Sequence, residues 1–228
     1  MIVKVCGMRH PDNIREVEKT GTDWMGFICY ERSPRFVSSA PAYLPVRSKR
    51  IGVFVNADYQ TITTRVRELK LDYLQLHGSE SPAFCQKLHT EGYKLIKAFS
   101  FRKPSELSRT DEYVSYCDYF LFDTPCHGYG GSGQSFDWDI LNGYQGNTPF
   151  LLSGGIRPES LEALSSFHHP AWAGIDLNSG FETAPAEKDV TALQDFIQQF
   201  RLLTNNISVP LKSGQININQ TIPEKGKN

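Results

Sequence analysis

Two side chains that can exchange protons follow apolar segments in distant parts of the chain. Cys6 comes directly after the apolar run of residues 2–5, and Asp123 ends the run of residues 119–123. A free cysteine has a pKa of about 8.5, so a thiolate at Cys6 needs a nearby cation or helix N-terminus. With such support, Cys6 and Asp123 could form an acid–base pair in which one group removes a proton and the other delivers one. A buried core thiol and a hydrogen-bonded loop anchor are the alternatives for these positions.

Two glycine-rich segments in the last third of the chain predict an anion site. They cover residues 151–155 and 176–180, and the candidate substrate-binding residues in them are Gly154, Gly155, Asp176, Asn178, Ser179 and Gly180. Glycine lets backbone N–H groups approach an anion closely, and a following helix adds its positive end. We therefore expect a phosphate here, although tight turns without a ligand have the same composition.

Three further segments carry polar groups. Residues 32–35 end in Arg35 and offer two guanidinium groups to a carboxylate or a phosphate. His77 has no second metal ligand at a suitable spacing, so we interpret it as a polar orienting group. The glycine-rich segment 124–135, which contains Gly131, follows an apolar run but lacks the acidic residue of a dinucleotide fingerprint. We interpret it as a lid with backbone donors, and we expect neither a metal nor a cofactor.

The elements that position these residues are eight short apolar runs. They cover residues 2–5, 24–28, 51–56, 73–78, 94–98, 119–123, 150–155 and 174–180. Helical patterns are predicted over residues 11–19, 59–69, 82–89, 104–116, 158–164 and 186–203. Apolar runs separated by amphipathic segments are typical of strands buried on both faces of a parallel sheet. Eight of them predict an α/β protein with a single (β/α)8 TIM barrel, whose active site lies at the carboxyl ends of the strands.

Length and composition fit one barrel. The chain has 228 residues, which predicts a barrel domain over residues 1–204 and a polar C-terminal tail over residues 205–228. We expect the tail to be flexible, and the alternative is an arm of alternating aliphatic residues that packs on a neighbour. A net charge of −1 argues against nucleic acid and membrane partners. Without a signal peptide pattern or an apolar run of about 20 residues, we expect a cytoplasmic protein.

The order of these motifs resembles the phosphoribosylanthranilate isomerase family of tryptophan biosynthesis. The matching segments are residues 4–9, 26–27, 32–35, 52–56, 74–78, 123–124, 130–138, 152–155, 176–182 and 188–189. The resemblance implies a cofactor-free barrel that converts N-(5-phosphoribosyl)anthranilate to 1-(2-carboxyphenylamino)-1-deoxyribulose 5-phosphate by an Amadori rearrangement. It also implies a small phosphorylated substrate as the partner, and a monomer or a homodimer.

The resemblance further assigns roles to single residues. It implies that Cys6 is the general base, that Asp123 is the general acid and that Arg35 meets the anthranilate carboxylate. The implied phosphate site is the backbone around Gly154, Gly155, Ser179 and Gly180. The chain departs from the family pattern at Asn178, where many members have a serine.

Four other functions remain as alternatives. One is a thiol hydrolase that uses Cys6, which would need a histidine such as His77 to face Cys6 across the barrel mouth. The aminoribose-phosphate isomerase of histidine biosynthesis resembles this chain in fold and phosphate site, but it is expected to have an aspartate where Cys6 stands. Indole-glycerol-phosphate synthase depends on lysines at strand ends, and Lys97 is the comparable residue here. A non-catalytic phosphate-binding barrel is expected to keep the glycines and to lose Cys6 and Asp123.

Overall fold

A computed structural model describes residues 1–123 and 138–207. Eight parallel strands form a closed barrel in chain order, and the last strand pairs with the first. The strands are β1 (Ile2–Val5), β2 (Trp24–Ile28), β3 (Lys49–Phe54), β4 (Tyr73–Leu76), β5 (Leu95–Phe99), β6 (Tyr119–Asp123), β7 (Phe150–Ser153) and β8 (Trp172–Leu177). The predicted (β/α)8 barrel is confirmed.

Five α-helices among the described residues pack around the barrel. They are α1 (Pro11–Lys19), α2 (Tyr59–Leu69), α3 (Pro82–Thr90), α4 (Leu161–Ser166) and α5 (Val190–Ile207). Local sequence fixes several of the starts. The Asp58 carboxylate accepts from Thr61 N at 2.7 Å at the start of α2, and Pro82 occupies the first turn of α3, where it loses no helical hydrogen bond.

Three connections differ from the sequence prediction. The helix predicted over residues 104–116 is a 3-10 helix of Pro104–Thr110, and a second 3-10 helix, Pro158–Ser160, precedes α4. The last predicted helix starts later, because an antiparallel hairpin of β9 (Glu182–Ala184) and β10 (Glu187–Lys188) precedes it. It also continues to Ile207, into the segment predicted as the tail, and residues 208–228 lie outside the described residues.

Strand alternation divides the buried apolar residues into two layers. Phe120 and Phe122 of β6 belong to the layer between barrel and helices, whereas Leu121 between them belongs to the cluster inside the barrel. Successive strand side chains point to opposite faces, so this alternation gives the direction of every strand residue. The interior cluster consists of Trp24, Ile51, Ile96, Ala98, Leu121 and Leu151.

Two buried charged side chains outside the barrel interior, Glu18 and Lys97, hold neighbouring segments in place. The Glu18 carboxylate accepts from the Tyr43 hydroxyl at 2.5 Å and from three successive backbone N–H groups, which fixes the loop before β3. Burial opposes the charge of Glu18, but these hydrogen bonds outweigh it and lower its pKa. Lys97 donates to three backbone carbonyls and lies 3.3 Å from Glu80. No helix among the described residues is long and apolar enough to cross a membrane.

Candidate active site

The strands aim a set of polar side chains into the barrel interior. Val3 and Val5 of β1 face the helices, so Lys4 and the following Cys6 face inward. The same alternation on the other strands turns Gln75 and His77 (β4), Asp123 (β6), and Asp176 and Asn178 (β8) inward. Polar side chains from β1, β4, β6 and β8 therefore meet near the carboxyl ends of the strands.

Cys6 lies buried between β8 and β2. Its backbone N–H donates to the Leu177 carbonyl at 2.8 Å, and its Sγ faces Gly26 so closely that a Cβ there would be 2.7 Å from the sulfur. Burial raises the pKa of the Cys6 thiol, and the charges of Lys4 and Lys188 offset part of that rise. The cationic surroundings that a thiolate needs are present, but the free site favours the protonated thiol.

Lys4 and Asp176 form an ion pair inside the barrel. Lys4 Nζ lies 2.8 Å from Asp176 Oδ1, the two residues are register partners across β1 and β8, and both side chains are almost fully buried. Burial alone would lower the pKa of Lys4, but Asp176 and Cys6 outweigh it and raise that pKa. Burial likewise raises the pKa of Asp176, and Lys4 opposes this. A residue predicted to bind substrate is thus the partner of a buried lysine.

Asp123 lies at the end of a short polar chain across β4 and β6. The Gln75 side-chain amide lies 2.8 Å from His77 Nδ1, and His77 Nε2 lies 3.6 Å from Asp123 Oδ2. With Nδ1 as the acceptor from Gln75, the His77 proton sits on Nε2 and faces the carboxylate. This supports the prediction that His77 orients another polar group, and more than a third of the Asp123 side chain is exposed at the barrel mouth.

Arg35 is fixed beside Cys6 by residues that come much later in the chain. Its Nε and Nη2 donate to the Glu182 carboxylate at 2.5–3.0 Å, and Lys188 Nζ donates to the same carboxylate at 2.6 Å. Lys188 Nζ also donates to Asn178 Oδ1 at 2.8 Å. Burial alone would raise the pKa of Glu182, but the hydrogen bonds from Arg35 and Lys188 lower it.

Gly7 makes this arrangement possible. Its φ of +79° favours glycine, and a Cβ would lie 2.7 Å from Arg35 Cδ and 2.8 Å from Asn178 Oδ1. The Asn178 amide therefore packs over the backbone next to Cys6, where it accepts from Lys188.

The two glycine-rich segments meet at one side of the barrel mouth. Gly154 and Gly155 have φ values of +92° and +61°, and a Cβ on Gly180 would collide with the Ile156 carbonyl. Gly155, Ser179 and Gly180 line a cavity of about 610 Å³ that also reaches Arg157 and the N-terminus of α5. Backbone N–H groups, a cation and a helix N-terminus are groups that hold a phosphate.

The sequence-predicted residues that the structure describes therefore fall into three groups at one barrel end. Cys6, Arg35 and Asn178 lie together, Asp176 lies below them, and Gly155, Ser179 and Gly180 line the cavity. His77 approaches Asp123, and Gly131 lies outside the described residues. Their roles stay predictions.

Sequence reasoning gave no role to four residues that the structure places in the site. Lys4, Gln75, Glu182 and Lys188 are all buried or nearly so. The available signal for Lys4 was a charge inside an apolar strand. For Glu182 and Lys188 it was their place in the matching segments 176–182 and 188–189. Among residues 1–123 and 138–207, no group of three His, Cys, Asp or Glu side chains could hold a metal ion.

A (β/α)8 barrel with a cysteine, a carboxylate and a glycine-lined cavity at the carboxyl ends of its strands has the architecture of a barrel enzyme. The family model for N-(5'-phosphoribosyl)anthranilate (PRA) isomerase matches residues 3–199. The N-(5'-phosphoribosyl)anthranilate isomerase of Phocaeicola vulgatus is 56% identical over 201 residues, which cover 88% of this chain and 98% of the relative.

Solved structures agree. Phosphoribosyl anthranilate isomerase from Thermotoga maritima matches with a TM-score of 0.74 and 30% identity, over 88% of this chain and 99% of that chain. A phosphoribosyl anthranilate isomerase in complex with reduced 1-(o-carboxyphenylamino)-1-deoxyribulose 5-phosphate matches with a TM-score of 0.72 and 28% identity, with the same coverage. The chain belongs to the N-(5'-phosphoribosyl)anthranilate isomerase family, the isomerases of tryptophan biosynthesis.

Proposed function

We propose that the chain isomerises N-(5'-phosphoribosyl)anthranilate with Cys6 as the general base and Asp123 as the general acid. The observation that carries this proposal is the inward placement of both side chains at the carboxyl ends of β1 and β6. The two strands are separated by β7 and β8 around the barrel, so a sugar bound across the mouth has one group on each side.

The acid acts first. A protonated Asp123 carboxyl gives its proton to the ribose ring oxygen, the C1′–O bond breaks, and the nitrogen lone pair forms a C1′=N iminium. His77, which contacts the Gln75 amide at 2.8 Å and lies 3.6 Å from Asp123, is in a position to orient the carboxyl. Asp123 is then a carboxylate, and the iminium has made the neighbouring C2′–H acidic.

The base acts second. The Cys6 thiolate removes the C2′ proton, and the C–H electrons form the enolamine as the iminium accepts its electron pair. The enolamine then tautomerises: its hydroxyl loses a proton, and C1′ gains one, which gives the ketone. No proton is consumed overall, and Cys6 and Asp123 return to their starting states by exchange with solvent.

The two charged ends of the substrate fit the two sides of the mouth. We expect the anthranilate carboxylate at Arg35, beside Cys6, and the phosphate at Gly154, Gly155, Ser179 and Gly180. These assignments rest on the position of the Arg35 guanidinium, which Glu182 holds through Nε and Nη2, and on the glycine-lined cavity. A cytoplasmic location and a monomeric or homodimeric assembly stay predictions.

The test compares Cys6→Ser and Asp123→Asn with Cys29→Ser, which changes a buried cysteine at the end of the neighbouring strand β2. Turnover of freshly generated phosphoribosylanthranilate is followed by its fluorescence. We expect each site variant to lose about 10²–10⁴-fold in kcat and the control to stay near wild type. Binding of reduced 1-(o-carboxyphenylamino)-1-deoxyribulose 5-phosphate should survive in all three. Near-normal turnover by Cys6→Ser and Asp123→Asn would contradict the assigned roles.

A further inference from the structure

We propose that Lys4 is a positioning residue for the Cys6 base, a single buried cation that the Cys6 thiolate and the Asp176 carboxylate share. This deepens the function proposed above and rests on Cys6 as its base. The mechanism described there gives no task to the Lys4–Asp176 pair, although both groups lie inside the barrel.

The geometry brings the three groups together. Lys4 lies in β1 and Cys6 directly follows it, two residues along the chain, so both side chains lie on the interior face. Asp176 faces Lys4 directly in the strand register, and the backbone of Cys6 is hydrogen-bonded to the residue after Asp176. Lys4 Nζ thus lies 2.8 Å from the Asp176 carboxylate, on the same face of the chain as the Cys6 thiol.

The ammonium has capacity for both partners. It carries three N–H donors, and within the described residues Asp176 Oδ1 is the carboxylate oxygen that it reaches. The charge of Lys4 also offsets part of the rise that burial causes in the pKa of Cys6, and a Cys6 thiolate raises the pKa of Lys4 in turn. Asp176 acts on Cys6 with the opposite sign. A proton on Asp176 therefore leaves Lys4 to stabilise the thiolate, whereas a charged Asp176 competes with it.

Other charged groups surround the thiol from the remaining elements. The charges of Lys188 in β10 and of Arg35 in the loop after β2 also interact with Cys6. Both side chains already donate hydrogen bonds to Glu182. His77 and Asp123, from β4 and β6, act on Asp176 rather than on Cys6. Lys4 is thus the cation near Cys6 whose carboxylate partner also lies inside the barrel.

The proposal predicts opposite effects for the two members of the pair. The rate of Cys6 alkylation by iodoacetamide is measured against pH in the substrate-free enzyme, by mass spectrometry of the Cys6 peptide. Lys4→Met should move the midpoint upward and slow alkylation near neutral pH by about tenfold or more, since one pKa unit is tenfold in thiolate. Asp176→Asn should move the midpoint downward and speed alkylation, and Lys4→Arg should stay near wild type.

Lys97→Met is the matched control. It removes another buried lysine that is paired with a carboxylate, but on the outer face of the barrel. A control that moves the Cys6 midpoint as far as Lys4→Met does would overturn the proposal, and so would a downward or absent shift in Lys4→Met. If Lys4→Met fails to fold, the Asp176→Asn shift decides, because an upward or absent shift there is equally contradictory.

Turnover separates this proposal from the role of Cys6. The ascending limb of kcat/KM against pH should move with the alkylation midpoint in each variant. If alkylation shifts as expected and turnover does not, Lys4 tunes Cys6 but Cys6 is not the base. If alkylation does not shift in Lys4→Met while turnover keeps a thiol limb that Cys6→Ser removes, the role of Lys4 is wrong and that of Cys6 stands.

Discussion

Gly26 on β2 sets the space available to the Cys6 sulfur, so Gly26→Ala tests the position of the base. The added methyl would lie 2.7 Å from Cys6 Sγ and 3.1 Å from Cys6 Cα. Ordinary contacts between such atoms lie at about 3.5–4.0 Å, so the sulfur must move by roughly 1 Å. A displacement of about 1 Å at a reacting group can cost about 100-fold in rate.

The expected result is a loss of about 100-fold in kcat/KM together with a loss of about 1–3 kcal/mol in the free energy of unfolding, which is typical of overpacking. Turnover is measured by the loss of substrate fluorescence, and stability by urea unfolding under the same conditions. Both measurements are made where the variant is fully folded, so that destabilisation does not lower the apparent rate.

Gly52→Ala is the matched control on the next strand. A methyl there would collide with the Leu71 side chain and lie 2.8 Å from the ring of Phe54, both on the helix-facing side of the barrel. The control should lose about 1–3 kcal/mol of stability and keep kcat/KM within a few-fold of wild type. Wild-type kcat/KM in Gly26→Ala would refute the reasoning, and so would an equal loss of activity in Gly52→Ala.

Three further predictions concern stability, pH and substrate binding. Glu18→Gln should lower the free energy of unfolding, measured with urea at pH 7, by about 1.5–3 kcal/mol. Because folding lowers the pKa of Glu18, this difference from wild type should shrink as the pH falls through the folded pKa. It should not shrink at alkaline pH. Lys97→Met should lower the free energy of unfolding by about 3–5 kcal/mol, because it leaves the Glu80 charge buried without its partner. The folded variant should keep the wild-type kcat, and a large loss of kcat would instead indicate a catalytic lysine. Gly155→Ala should raise KM more than it lowers kcat in steady-state assays. Gly92→Ala is the control, because Gly92 also has a positive φ but lies away from the site, and it should leave KM unchanged.

The apolar runs were enough to predict that the polar residues at their ends lie at the barrel mouth. Buried parallel strands read as apolar runs, and the residue after each run falls at the mouth, which placed Cys6, Asp123 and His77 correctly. The glycine-rich segments were predicted to meet for the same reason, since β7 and β8 are neighbours. Local rules were therefore sufficient wherever the position along a strand decides the direction of a side chain.

Contacts between distant parts of the chain could not be predicted in this way. Arg35 and Glu182 are 147 residues apart, and the hairpin that carries Glu182 and Lys188 has strands of three and two residues. Strands this short have no recognisable periodicity. Lys4 stood inside an apolar run, but no property of its neighbours in sequence indicated that Asp176 would face it across β8 and β1.

The positive charges around Cys6 offset part of the cost of forming a thiolate in a buried position. The cations that act on it are Lys4, Lys188 and Arg35, and the carboxylates bonded to them are Asp176 and Glu182. Three positive and two negative charges leave one positive charge, which either the thiolate or the carboxylate of a bound substrate neutralises. When both are present the cluster carries one excess negative charge, and this raises the proton affinity of the thiolate. We therefore expect a bound substrate carboxylate to make the thiolate more basic and also less populated, so that the net effect on the rate depends on how the cations divide between the two anions.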